Sequence, residues 1–170
     1  MTLYAAFLRG VMPNKPKMPE LKATFEAAGF KNVKTLLGSG NVVFDAAKTS
    51  EASLQKKAEA AMEKRLGRTF LTIVRSVDTL REILASDPYR GFPLEPGSKR
   101  VVTFLREAPT SKFKLPITMG SATIVSMSGR QIFSVYVRGA SSPEFMVLIE
   151  KTFGKALTTR TWETVTKAAR

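Results

Sequence analysis

Any chemistry in this chain has to come from Lys, Arg, Tyr, Ser, Thr and carboxylates, because its 170 residues include no His and no Cys. That removes the imidazole base, the thiolate nucleophile, the Ser-His-Asp triad, the disulfide and the usual Cys or His zinc sites together. The aspartates Asp45, Asp78 and Asp87 are far apart in sequence, so no local cluster for a hard cation is expected, and no metal or cofactor is assigned. What the sequence offers instead is positive charge. Its 27 Lys plus Arg stand against 14 Asp plus Glu, a formal charge of +13, and such a surplus suits an anionic small molecule or nucleic acid. The excess is uneven: residues 76–98 are net acidic, whereas Lys99, Arg100, Arg106, Lys112 and Lys114 form the densest basic stretch, opposed only by Glu107. The plainer reading of that stretch is a solvated basic surface.

Four polar positions are candidate anion contacts. Arg9, with Gly10 after it, closes the apolar run Leu3–Leu8 and puts a guanidinium at the edge of a sheet, beside a loop holding Asn14 and Lys15. Ser39 and Asn41, within Gly38-Ser39-Gly40-Asn41, offer a hydroxyl, an amide and backbone N–H groups. Arg160, within Thr158-Thr159-Arg160-Thr161-Trp162, would sit among hydroxyls at the positive end of a last helix. The two arginines would supply charge-assisted bonds and Ser39 and Asn41 neutral ones. Each block also has a purely structural reading. The glycine segment serves equally as a hairpin turn, and the last block as helix capping by Thr159 or Thr161 with Trp162 as a core anchor.

Other motifs fail on their chemistry. Gly38-Ser39-Gly40 is not a dinucleotide fingerprint, because Val43 stands where the third glycine is required and the segment joins two strands. No phosphate-binding Gly-x-x-x-x-Gly-Lys-Ser/Thr loop occurs. Tyr4 occupies a first-strand stacking position of an RNA-recognition sheet, but Asn41-Val42-Val43-Phe44 lacks the basic and paired aromatic pattern of that module.

These residues need elements to position them. Leu3–Leu8 reads as a buried strand, and a helix with Pro19 in its first turn follows, burying Leu21, Phe25 and Ala28 and closing at Gly29. Val33–Leu37 and Val42–Phe44 read as a hairpin, Ser50–Leu66 as a helix ended by Gly67, and Thr69–Arg75 as a strand. The order is that of the ferredoxin-like split βαβ motif. A helix capped by Ser76 runs to Asp87-Pro88, and strands follow at Arg100–Leu105, Ala122–Met127 and Gln131–Val137, with Glu107–Gly120 irregular. Ser142, Pro143 and Glu144 open a helix that Gly154 ends, and a short helix carrying Trp162 closes the pattern. The fold class is α+β: a ferredoxin-like βαββαβ unit over residues 1–75, then a second, smaller sheet-and-helix unit over 76–170, the two also readable as one compact domain. The longest apolar run is six residues, where a membrane span needs about 20. With Arg9 directly after it, that run also makes a poor secretory signal. The expectation is a cytoplasmic protein without a membrane partner, its oligomeric state unassigned.

The sequence resembles the uncharacterised family catalogued as domain of unknown function 1697. The likeness rests on Leu8-Arg9-Gly10, Met18-Pro19-Glu20-Leu21, Ala28-Gly29-Phe30-Lys31-Asn32-Val33, Ser39-Gly40-Asn41-Val42-Val43-Phe44 and Thr159-Arg160-Thr161-Trp162-Glu163-Thr164. The resemblance implies an α+β fold with ferredoxin-like units and brings no established activity. The chain departs from the family pattern at Val11-Met12-Pro13-Asn14-Lys15, where a glycine loop is usual, at Gly38, where a polar residue is common, and at Thr161, where Asn is common. The leading expectation is non-catalytic binding of a phosphate-bearing small molecule or nucleic acid through Arg9, Ser39, Asn41 and Arg160. The alternatives are an enzyme acting on a phosphorylated small molecule through Lys, Tyr or a carboxylate, and a basic protein-interaction module.

Overall fold

The structure, a computed structural model, describes residues 1–12, 15–38, 40–137 and 144–170. Ser39, Asn14, and the helix opening expected at Ser142 and Pro143 lie outside the described residues. The fold is mixed α and β, with two antiparallel sheets and helices packed on them. Contacts divide the chain into one unit of Met1–Glu82 with Thr166–Arg170 and another of Ile83–Val165.

In the first unit, β1 (Thr2–Leu8), α1 (Met18–Ala27), β2 (Lys31–Leu36), β3 (Asn41–Ala46), α2 (Glu51–Leu66) and β4 (Thr72–Ser76) follow in turn. The sheet order is β2-β3-β1-β4, each neighbouring pair antiparallel, which is compatible with the ferredoxin-like expectation. β1 is buried on both faces, so it reads as an unbroken apolar run instead of an alternation. Tyr4, Ala6 and Leu8 join Val42, Phe44 and Val74 under Leu21 and Phe25 of α1 and Leu54, Ala58 and Met62 of α2. The Phe30 and Phe44 rings stack at 4.3 Å within this core. The ends of α2 are set locally. The Ser50 hydroxyl accepts from the Ser53 N–H at 3.1 Å, and Gly67, in the left-handed region at φ 74°, donates its N–H to the Glu63 carbonyl.

The division between the units falls within α3 (Val77–Ser86). The Ser76 hydroxyl caps this helix by accepting from the Thr79 N–H at 3.2 Å. β5 (Ser98–Leu105), β6 (Ile117–Met119), β7 (Ala122–Ser128), β8 (Gln131–Val137), α4 (Glu144–Phe153), β9 (Leu157–Thr161) and α5 (Trp162–Ala168) follow. Their sheet has the order β6-β7-β8-β5-β9. On one face Phe145, Leu148 and Ile149 of α4 pack against Val101, Leu105, Ile124, Ile132 and Leu157.

Two local expectations change. Thr158-Thr159-Arg160-Thr161 is a strand and not the start of the last helix: three β-branched threonines and a free edge on β5 favour extended pairing, and the helix begins at Trp162. The stretch expected to be irregular contains β6, a three-residue edge strand too short for periodicity to reveal. Among the described residues no helix is long and apolar enough to cross a membrane.

Candidate functional site

The pairing of β5 with β9 builds the most distinctive concavity of the second unit. Its register sets Val101 opposite Thr161, which brings the basic start of β5, Lys99-Arg100, against the junction Thr161-Trp162-Glu163 where β9 gives way to α5. These residues, with Gly97 and Ser98, line a groove of about 330 Å³. Two sequence signals more than sixty residues apart, the densest basic stretch and the threonine-tryptophan block, thus meet in one place.

Aromatic rings fix the charge there. The Arg100 guanidinium lies 5.4 Å from the Trp162 ring centroid and 5.8 Å from that of Tyr89, within cation–π range. Trp162 meets Tyr89 edge-on at 5.3 Å, and Tyr89 meets Phe133 the same way at 6.1 Å. Tyr89 is held from its other end, its hydroxyl donating to the Val101 carbonyl at 2.6 Å. Burial pushes the Tyr89 phenol far above its ordinary pKa, although Arg100 and backbone hydrogen bonds pull the other way. Tyr89 is therefore a neutral prop at physiological pH. Arg100 itself is exposed, and no ion pair among the described residues engages it. The Thr161 hydroxyl accepts from the Thr164 N–H at 3.2 Å and shares a hydrogen bond with the Thr164 hydroxyl, so it caps α5 as the structural reading anticipated.

The residues singled out in the sequence fall in both units. Arg9 follows β1 and is half-buried, and its backbone N–H donates to the Leu71 carbonyl at 2.9 Å. Asn41 is buried at 1 % exposure, and its Nδ2 donates to the Leu36 carbonyl across the hairpin at 3.2 Å. That bond closes the turn in which Leu37, Gly38 and Gly40 all have positive φ. Gly40 is needed twice over: its φ is 77°, and a Cβ there would lie 3.0–3.2 Å from Val11 and Leu8. Arg9 and Asn41 are close through β1 and β3, Phe7 being the register partner of Asn41.

Arg160 belongs to the second unit, opposite Val102 on β5. Its Nη1 donates to the Thr158 hydroxyl at 2.7 Å and to the Thr159 carbonyl at 2.9 Å. Desolvation pulls its pKa down from the ordinary guanidinium value to about 10, so it stays charged at neutral pH. By strand alternation Arg100, Val102 and Arg160 share the sheet face turned away from α4. Tyr89 was missed in the sequence reading, since a single tyrosine after Asp87-Pro88 carries no pattern of its own. A smaller basic cleft of about 280 Å³ lies in the first unit between Lys15, Lys17, Glu20, Arg68 and Phe70, with the Arg68 guanidinium 4.5 Å from the Phe70 ring centroid. Among the described residues no group of three or more acidic side chains gathers as a metal site.

Comparison with known proteins returns a family and a fold. The sequence model described as "Protein of unknown function (DUF1697)" matches residues 1–133. Among solved structures, the chain is similar to the conserved bacterial protein SP0830 from Streptococcus pneumoniae, at 21 % identity and a TM-score of 0.70, over 99 % of this chain and 97 % of that one. No curated protein matches.

Proposed function

Starting from the chain's membership of the DUF1697 family, whose description assigns no activity, we propose that it binds a phosphate-bearing ligand in the groove between Lys99-Arg100 and Thr161-Trp162, without catalysis. One observation carries the reading: an exposed guanidinium held against two aromatic rings in a concave site, beside a second cation. A guanidinium fixed in this way loses less freedom when it grips a phosphate, and its planar fork suits two oxygens at once. The high pKa of Tyr89 and the engagement of its hydroxyl by a carbonyl argue against acid–base work there.

The test is titration of the purified protein with inorganic phosphate, pyrophosphate and a short single-stranded RNA at several salt concentrations, beside the Arg100→Ala variant. One charge-assisted bond contributes about 1.5–3 kcal/mol, so R100A is expected to weaken binding by roughly 10- to 150-fold. Equal affinity in wild type and R100A rejects the groove as the site. Arg9→Ala and Arg160→Ala belong in the same series; a loss in Arg160→Ala extends the contact set to that residue, and a loss in Arg9→Ala marks a separate contact in the first unit. Asn41 enters as the residue that holds its hairpin, so Asn41→Ala is expected to lower stability and leave affinity intact.

A further inference from the structure

At Ser98 the groove borders a second space. That residue also lines this second cavity of about 460 Å³, bounded by Phe92, Pro93 and Glu95 from the preceding loop and by Thr118, Thr123, Val135 and Val137 from the sheet. Strand register sets the linings of the two spaces in one row on the same sheet face. Thr118 is the partner of Thr123, Thr123 of Val135, and Val135 of Arg100, so one row of same-face residues crosses four strands and leads from a pair of hydroxyls, over a valine, to the stacked guanidinium. All of these residues belong to the second unit.

The chemistry changes along that row. At one end are Lys99, Arg100 and the Trp162 ring. In the middle Val135 and Val137 make an apolar floor, with Phe92 and Pro93 at its border. At the far end the Thr118 and Thr123 hydroxyls are hydrogen-bonded to each other at 3.1 Å, each keeping acceptor capacity for a further donor. The positive zone is short, because Glu163 lines the groove beside the cations and Glu95 lines the cavity beyond them. A carboxylate in the lining of each space disfavours a strand with a phosphate on every residue and leaves a single phosphate on the cations as the better match.

We infer that the ligand of this site is a nucleoside monophosphate, with its phosphate on Arg100 and Lys99 and its nucleoside in the Val135–Thr118 cavity. A flat ring covers the valine floor, and sugar or base hydroxyl and amine groups meet the threonines and Glu95. Each cavity lies within the about 300–1,000 Å³ typical of small-molecule sites. This inference rests on the phosphate-binding reading above, and the experiment separates the two.

Calorimetric titrations at low salt would compare inorganic phosphate, adenosine, adenosine 5′-monophosphate and a ten-nucleotide single-stranded RNA. The test proteins are wild type, R100A, and two variants that fill the second cavity, Thr118→Phe and Val137→Trp. Thr118 is exposed, so T118F keeps the test valid should V137W not fold. The expected result is that the mononucleotide binds at least tenfold more tightly than phosphate, that T118F and V137W erase this advantage while holding phosphate affinity within twofold, and that R100A weakens both. Equal affinity for phosphate and mononucleotide overturns the inference and leaves the phosphate-binding reading standing. Absence of binding by all four probes overturns both. An RNA that binds far more tightly than the mononucleotide, with a steep salt dependence, replaces the inference with a nucleic-acid strand.

Discussion

The turn between β6 and β7 forms part of the wall of the second cavity, and one carboxylate holds it. Glu144, in the first turn of α4, accepts from the Ser121 N–H at 2.7 Å and from the Ser121 hydroxyl at 3.0 Å. Gly120 has φ 58°, and a Cβ at this position would be driven directly onto the Glu144 carboxylate. Gly129, in the turn between β7 and β8, has nearly the same φ of 59° and nothing within 4 Å of a Cβ. Alanine at either glycine bears the left-handed backbone term of about 1–2 kcal/mol. Only Gly120→Ala also expels the carboxylate, and the loss of its bonds to Ser121 in this half-exposed place adds about 2 kcal/mol, the low end for hydrogen bonds to a charged group. The variants should therefore differ by about 4–8 °C in Tm for a chain of this size, G120A being the less stable. Thermal unfolding of both, followed by circular dichroism, measures the gap. The double variant with Glu144→Ala isolates its cause, since without the carboxylate Gly120→Ala should cost no more than Gly129→Ala. Equal losses in the two single variants, or a gap that survives Glu144→Ala, would refute the reasoning.

Two further perturbations concern a buried hydroxyl and a half-buried guanidinium. The Ser134 hydroxyl is fully buried and has no hydrogen-bond partner among the described residues, so Ser134→Ala is expected to stabilise the fold by about 1 kcal/mol; a lower denaturation midpoint would contradict this. Partial burial pulls the Arg160 pKa down to about 10, so above that pH the unfolded chain binds more protons and stability rises with pH; below about pH 10 the folded guanidinium stays charged and bears its desolvation cost. Arg160→Met, which keeps most of the length and drops the charge, is accordingly expected to be neutral or stabilising by about 1 kcal/mol in urea at pH 7. A loss above 2 kcal/mol would mean that the bonds to Thr158 and Thr159 outweigh that cost.

What could be read in the sequence was local. Ser50 and Gly67 announce the ends of α2 because a cap is decided within four residues, and Gly38 and Gly40 announce the β2–β3 turn because positive φ selects glycine. β9 is hidden in the sequence for the opposite reason. Threonines before a tryptophan and an acidic residue look like a helix N-terminus, and Thr161 does cap α5, but whether the residues before a cap are extended or coiled depends on a distant strand having a free edge.

The candidate site follows the same division. Arg160 and Arg100 were both visible as charges, yet their settings differ because register turns one into the strand's own hydroxyl and carbonyl and leaves the other against aromatic rings in a groove. Asn41 is a candidate contact on the strength of its amide, and at the mouth of a tight hairpin that amide also has a carbonyl within reach, to which its Nδ2 donates. Arg100 reads as solvated surface in the sequence because its partner Trp162 lies far along the chain and Tyr89, a lone tyrosine before it, carries no pattern that ties the two together. Pairing of Val101 with both Ser134 and Thr161 joins these parts. A one-residue slip of β9 on β5 would turn Arg160 to the α4 face and separate Trp162 from Arg100, so the groove depends on the register that also buries Leu157. The Arg106 N–H donates to the Ala156 carbonyl, so alternation directs the Thr158 N–H at Phe104 on β5, and Thr158→Pro, which removes that ladder donor, should therefore abolish the binding proposed for the groove while the first unit's sheet remains folded, an outcome that hydrogen exchange resolved by unit would show.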